Sequence, residues 1–154
     1  MDEPRWLNEN EMAAWRGFLA ATNLVARHLE RQLKEDAGLS HTQYEILVQL
    51  SAVPEGSLRM TDLADRLITS KSGLTYQIGQ LERGGLVSRR SCPSDVRGVF
   101  AEITEQGREV LRDAAPGHVA AVREALIDVL SPEQLAGLAD SLGTVGRRLR
   151  GRDG

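Results

Sequence analysis

The sequence has 154 residues, 41% of them apolar, and a formal net charge of −3. A chain of this length can bury a sizeable core, and no apolar run approaches the ~18 residues of a membrane span. The first residues lack a basic stretch followed by an apolar one, and Cys92 is the only cysteine, so neither a signal peptide nor an intrachain disulfide is expected. These features favour a cytoplasmic protein with no membrane contact.

Positive charge is concentrated in one part of this acidic chain. Residues 57–100 contain seven cations and four anions, a net charge of +3, whereas the remainder carries −6. A confined basic region suits a surface that faces phosphates, and an acidic remainder keeps the rest of the protein away from a polyanion. The distribution favours nucleic-acid binding; the alternative is a hairpin whose charges are merely solvated.

Residues 8–36 form the first predicted helix. The residues of its apolar seam step along the chain by three and four, a 3.5-residue repeat typical of helices that pack side by side. This seam consists of Met12, Trp15, Leu19, Thr22, Ala26, Leu29 and Leu33. Gly38 ends the helix, and Ser40 and Gln43 then form a capping box that starts a second one.

The central segment predicts two short helices followed by a β-hairpin. Residues 61–67 and 72–83 have helical apolar spacing, and Gly84-Gly85 stops the second helix. Residues 86–90 and 99–103 read as strands around a turn at 93–98, and residues 57–59 add a third short strand. This order is that of a winged helix-turn-helix, whose second helix enters the DNA major groove.

The C-terminal part is predicted to be helical. Thr104 caps a helix that extends to about residue 130, with a kink or break at Pro116-Gly117. A further helix starts at Ser131, with Pro132 in its first turn and Gln134 at the third position. The predicted fold class is therefore mainly α with a small β-hairpin wing.

Two regions follow from these elements. Residues 39–113 form a winged helix-turn-helix DNA-binding domain, and residues 1–38 and 114–154 form a helical dimerisation region. Two-fold dimers match palindromic operators, so the expected partners are double-stranded DNA and a second copy of the chain. The alternative is that the terminal helices pack only within their own subunit.

Five short motifs, in order along residues 39–111, resemble those of the MarR family of bacterial transcriptional regulators. They are Leu39-Ser40-x-x-Gln43-Tyr44-x-x-Leu47, Met60-Thr61-x-Leu63-Ala64, Lys71-Ser72-x-Leu74-Thr75, Leu81-Glu82-Arg83-x-Gly85-Leu86-Val87, and Asp95-x-Arg97-Gly98 followed by Ile103-Thr104-x-x-Gly107. The resemblance implies a homodimer with one winged motif per subunit. It also implies a repressor that leaves DNA when a small, often aromatic, ligand or an oxidant acts.

The candidate DNA contacts lie at the start of the recognition helix and in the wing. Lys71 suits phosphate or guanine, Gln77 can bond adenine, and short hydroxyl side chains suit phosphates. Arg97 at the hairpin tip suits a narrow minor groove, with Asp95 orienting it. The full set of candidate DNA-binding residues is Arg59, Ser70, Lys71, Ser72, Gly73, Thr75, Tyr76, Gln77, Arg89, Arg90, Asp95 and Arg97. Tyr76, Gly79 and Gln80 stand where the family often carries charged residues, so the recognition helix is weakly basic.

The same resemblance places a small-molecule effector site between the terminal helices and the winged motif. The candidate residues are Trp15, Leu19, Asn23, Tyr44 and Leu47, although ordinary core packing would use the same side chains. The histidines are scattered along the sequence, so no metal site is expected, and no motif indicates a cofactor or catalysis. Cys92 is more simply structural than redox-active. A ligand-responsive repressor is the leading hypothesis, and a winged-helix module that binds proteins is the alternative.

Overall fold

The computed structural model describes residues 3–92 and 95–152, with the side chains of all of these except 92 and 95–97. These described residues form six α-helices, a π-helical turn and three strands. They are α1 (Glu9–Ala37), α2 (His41–Ser51), β1 (Ser57–Arg59), α3 (Met60–Leu67), α4 (Lys71–Arg83), β2 (Val87–Cys92), β3 (Asp95–Ile103), α5 (Glu105–Val122), the π-helical turn (Arg123–Ile127) and α6 (Pro132–Arg150). The predicted mainly helical fold with a small wing is confirmed.

The chain divides into two units. The central unit comprises residues 26–118, and the terminal unit comprises the described residues up to 25 and from 119 onward. The divisions fall within α1 and within α5, whereas the predicted region boundaries lay at 38 and 114. No helix among the described residues is both long and apolar enough to cross a membrane.

The core of the central unit lies where α2, α3 and α4 meet the sheet. Its largest side chains are completely or almost completely removed from solvent, which makes this cluster the main source of hydrophobic stabilisation in the unit. They are Leu33, Ile46, Leu47, Leu50, Leu63, Leu74, Ile78 and Val87. Residues 74, 78 and 81 of α4 point into the core, so the spacing of four and three seen in the sequence fixes which face of α4 remains outside.

The three strands form an antiparallel sheet in the order β1-β3-β2. Leu58 of β1 lies opposite Ala101, and Val87 of β2 lies opposite Ile103. The predicted short strand at residues 57–59 is confirmed. The hairpin strands are longer than predicted, because pairing continues to Cys92 and resumes at Asp95 in positions assigned to a turn.

Most helix boundaries follow the local signals. Ser40 and Ser131 each complete a capping box, and the Ser70 hydroxyl accepts a hydrogen bond from the backbone N–H of Gly73 at 3.1 Å. The predicted break at Pro116 is wrong, since α5 continues through it to Val122. Proline lacks an N–H, but its φ is helical, and the helix on both sides of Pro116 continues despite the lost bond. The irregular turn comes later, at Arg123–Ile127.

Glycine is required where the wing meets α5. Gly85 has φ +75°, a left-handed conformation, in the turn that leads into β2. Gly107 sits in the first turns of α5 so close to the backbone of Leu86 that a β-carbon would overlap the Leu86 carbonyl oxygen and crowd Ile103. The wing therefore packs directly against the backbone of α5.

We expect Gly107→Ala to lower the free energy of unfolding by about 1–3 kcal/mol, because the added methyl group forces the Leu86 backbone to move. Gly79→Ala is the matched control, since position 79 lies inside α4 and has only the end of Arg83 nearby. Alanine there should raise stability by about 0.5–1 kcal/mol. Urea unfolding measures both variants, and equal stability of the two would contradict this packing.

Candidate DNA-binding interface

The start of α4 presents the predicted contact residues to solvent. Ser70 caps the helix and its hydroxyl lies 3.4 Å from that of Ser72, while Lys71, Ser72 and Gly73 are exposed. The first backbone N–H groups of a helix have no partner within the helix and carry its positive end. This end of α4 is thus built to receive negatively charged groups.

Two further residues of α4 have side chains held by neighbours on the same helix. The Thr75 hydroxyl donates to the Lys71 carbonyl at 2.8 Å. Tyr76 is 61% exposed, and its hydroxyl oxygen accepts a hydrogen bond from the Gln80 amide at 3.0 Å. The Tyr76 hydroxyl still has a proton to donate, so Gln80 orients a ring that points away from the core.

Gln77, which is predicted to read a base, also contacts α2. It is half-buried, and its side-chain oxygen accepts a hydrogen bond from the Gln43 amide of α2 at 3.1 Å. A bidentate contact to adenine needs both the oxygen and the nitrogen of a glutamine amide. The bond joins α4 to α2, a contact that sequence spacing could not show, and base reading by Gln77 stays a prediction.

A groove separates the start of α4 from the wing. It encloses about 480 Å³ and brings together three of the predicted cations, on β1, α4 and β2. Its lining residues are Arg59, Met60, Thr61, Lys71, Leu74, Thr75, Arg89, Gly98 and Val99. Three basic side chains around one concave surface attract an anion more strongly than they would separately. Five of these residues were not among the predicted site residues: Met60, Thr61, Leu74, Gly98 and Val99.

Arg89 is engaged with the recognition helix. Its guanidinium donates to the Glu82 carboxylate of α4 at 3.0 Å, with both side chains more than a third exposed. This hydrogen bond lowers the pKa of Glu82 and raises the pKa of Arg89. The pair ties the base of the wing to the end of α4, so part of the charge of Arg89 is already neutralised.

Phe100 organises two other arginines. The guanidinium carbons of Arg59 and Arg90 lie 5.4 Å and 5.1 Å from the centre of its ring, from the strands on either side. Arg90 also pairs with Glu102 at 3.2 Å. Cation–π contacts of this kind hold a guanidinium in place without removing its charge. Phe100 was missed in the sequence, although its position opposite both arginines follows from strand pairing.

Asp95 and Arg97 lie on β3, but their side chains, like that of Cys92, are outside the described residues. The pairing of Asp95 with Arg97 and the chemistry of Cys92 therefore stay predictions.

The predicted effector residues are divided between the two units. Trp15, Leu19 and Asn23 belong to the terminal unit and are exposed, and Trp15 stacks with Phe18 at 6.2 Å. Tyr44 and Leu47 belong to the core of the central unit, and Leu47 is fully buried. Burial raises the pKa of Tyr44, with a smaller contribution from Glu45. Ordinary core packing, the alternative to an effector site, therefore explains the position of Leu47.

Two of the three histidines are close together, which sequence separation concealed. The rings of His41 and His118 lie 5.7 Å apart, and the Tyr44 ring lies 4.2 Å from that of His118. His118 is buried, and this burial lowers its pKa; His41 lowers the pKa further, whereas Glu45 raises it. The expectation that all three histidines are scattered is wrong for this pair.

Comparison with known proteins identifies the same fold in a family of transcriptional regulators. The sequence profile of the MarR family matches residues 37–98. The chain is 31% identical over 131 residues to the HTH-type transcriptional regulator MhqR of Bacillus subtilis, covering 85% of each protein.

The structure superposes with a TM-score of 0.92 on Sco3205 of Streptomyces coelicolor, a MarR family transcriptional regulator crystallised with DNA. That pair is 46% identical, over 97% of this chain and 93% of that one. AbsC, another MarR family regulator of Streptomyces coelicolor, gives a TM-score of 0.91 at 44% identity, over 96% of this chain and 99% of that one.

We expect Lys71 and Arg89 to contribute differently to phosphate binding. Lys71 lines the groove and has no carboxylate partner among the described residues, whereas Arg89 is paired with Glu82. Lys71→Gln should reduce the slope of log affinity for DNA against log salt by about 1, and Arg89→Gln by less. DNA titrations at several salt concentrations measure the slopes; an equal or larger effect of Arg89→Gln would contradict the assignment.

Proposed function

The chain belongs to the MarR family of transcriptional regulators, and on that premise we propose that it acts as a homodimeric repressor released from its operator by a small effector. It is a DNA-binding transcriptional regulator and not an enzyme. A module that binds only proteins is not favoured. We place its action in the cytoplasm, with the DNA that it regulates.

The observation that carries the proposal is the basic groove between α4 and the wing. The exposed start of α4 enters a major groove, so that Lys71, Ser72 and Tyr76 approach base edges and phosphates. Arg59 and Lys71 line the adjoining concave surface and contact the sugar–phosphate backbone. The wing then extends toward the neighbouring minor groove, where Arg97 is proposed to bind with Asp95 as its orienting partner.

The proposed dimer uses residues 1–38 and 114–154. Of the fourteen exposed large apolar side chains among the described residues, eleven belong to the terminal unit. They include Trp15, Phe18 and Leu19 on α1 and Leu142, Val145 and Leu149 on α6. Surfaces this rich in apolar side chains are uncommon on monomers and typical of lasting interfaces. A second copy of the chain would cover them.

The proposed effector is a small aromatic or phenolic compound that contacts Trp15. The half-exposed Trp15, stacked with Phe18, offers an aromatic surface that such a ring can join. The effector releases DNA because it prefers the dimer in which the two recognition helices no longer match successive major grooves. Only this difference in affinity shifts the population, and a hundredfold preference corresponds to about 2.7 kcal/mol.

We expect Arg97→Ala to weaken specific DNA binding by about 1–3 kcal/mol without loss of stability, because an arginine in the minor groove is replaced by a methyl group. Arg112→Ala, on α5 and outside the proposed dimer region, is the control for removal of one exposed positive charge. Electrophoretic mobility shifts measure affinity and thermal unfolding measures stability. Equal affinities of the two variants would assign Arg97 to ordinary solvated surface.

The repressor hypothesis is tested with labelled DNA from upstream of the protein's own gene and its neighbours. Fluorescence anisotropy should show salt-sensitive, sequence-specific binding, and a compound from a panel of aromatic acids should reverse it. Trp15→Ala should blunt this release more than it weakens binding. Trp6→Ala is the matched control, because Trp6 is the other tryptophan and is 82% exposed.

Each outcome of that titration has a distinct meaning. If the protein binds none of these promoters specifically, it does not regulate its own gene or the neighbouring genes. Release that is unchanged in Trp15→Ala would contradict the effector site at Trp15, and absence of release by every compound would contradict an aromatic effector.

A further inference from the structure

Three side chains that the proposed function does not use converge in the central unit. His41 and Glu45 lie on α2 and His118 lies on α5, and one ligand atom from each falls within 4.8 Å of the others. We propose that these three residues form a binding site for a divalent transition-metal ion of the Zn²⁺ type.

Helix geometry places the two proposed ligands of α2, His41 and Glu45, beside each other. His41 is the first residue of α2, and Glu45 follows one turn later, so both side chains lie on the same face. The His41 Nε2 lies 3.6 Å from the Glu45 Oε1. The backbone N–H of His41 donates to the Glu30 carboxylate of α1 at 2.8 Å, which holds this end of α2 in place. The site thus has a rigid base with two donor atoms side by side.

The third ligand is buried and oriented by a neighbour. His118 is 7% exposed, and its Nδ1 lies 3.4 Å from the side-chain oxygen of Gln32. The Gln32 nitrogen donates to the Asp36 carboxylate at 2.8 Å, so the Gln32 oxygen is the atom that faces His118 and can only accept. The hydrogen of the neutral ring is therefore on Nδ1, which leaves the lone pair on Nε2. An imidazole that donates its other N–H to an oxygen is the usual arrangement of a metal-bound histidine.

The distances between the three ligand atoms are short enough that small side-chain rotations would bring them around one metal ion. Zinc bonds of about 2.0–2.1 Å in a tetrahedron place neighbouring ligand atoms about 3.3–3.5 Å apart. The His41–Glu45 separation of 3.6 Å is close to this value, and no separation in the cluster exceeds 4.8 Å. The side chains of His41 and Glu45 are more than a third exposed, so they can close on an ion that His118 holds from the buried side.

The donor set selects the class of ion. Two imidazole nitrogens and one carboxylate oxygen suit Zn²⁺ and its neighbours Co²⁺ and Ni²⁺, whereas Mg²⁺ and Ca²⁺ prefer oxygen ligands alone. Three protein ligands leave a fourth position for water, which differs from the closed four-ligand sites that serve only structure. The exposed side formed by His41 and Glu45 gives the ion a route in and out.

The test uses the full chain after removal of metal by a chelator. Calorimetric titration with Zn²⁺ should show one ion bound per chain, and Co²⁺ should give the absorption of a nitrogen- and oxygen-ligated tetrahedral ion. His41→Gln and His118→Gln should each weaken binding at least tenfold. Gln32→Ala should weaken it by about 10–100-fold, because the orienting acceptor is lost.

Controls separate this site from weak surface binding. Glu35→Gln changes an exposed glutamate of α1 outside the cluster and should leave Zn²⁺ affinity unchanged, as should excess Mg²⁺. Thermal unfolding without metal shows which variants retain the fold. If His118→Gln does not fold, the proposal is judged on His41→Gln, because His41 is half-exposed and its replacement disturbs the core less. Failure to bind Zn²⁺, or binding undiminished in His41→Gln, would overturn the proposal. The measurement involves no DNA, so its result is independent of the repressor hypothesis.

Discussion

The burial of one face of α4 is the constraint on which the rest of the interface depends. Leu74, Ile78 and Leu81 are inserted among the side chains of α2, α3 and the sheet, and none of the three is more than 2% exposed. An α-helix with one face fixed in a core has no rotational freedom left, so the opposite face is determined as well. Lys71, Ser72 and Tyr76 are exposed because Leu74, Ile78 and Leu81 are buried.

Polar contacts at the edge of that core then fix the parts that surround α4. Gln43 bonds to Gln77 and holds the helix on α2, and the Arg89–Glu82 pair holds the wing at the other end. Exposed ion pairs contribute little to stability, so Arg89 acts chiefly by setting the position of the wing. The recognition helix itself is weakly basic. The cations of the candidate interface lie instead on β1, at the start of α4 and on the wing.

Local signals predicted much of this arrangement, and distant contacts explain what they missed. The caps at Ser40 and Ser131 and the inward face of α4 depend on residues within one or two turns, so they are visible in the sequence. α5 continues through Pro116 with Ala114 and His118 buried on either side, and the extra length of the hairpin comes from the pairs Ser91–Val99 and Cys92–Asp95. The bond between Gln43 and Gln77 and the approach of His118 to His41 join residues that only the fold brings together.

In the proposed homodimer, two copies of the winged motif bind DNA together, each with its α4 in a major groove. Hydroxyl-radical footprinting on an operator found by promoter titration tests it most directly. A dimer bound in this way gives two symmetric sets of protected nucleotides whose centres are one helical turn apart, about 34 Å, with protection of the minor groove beside each. A single protected half-site, or protection with no two-fold symmetry, would contradict it.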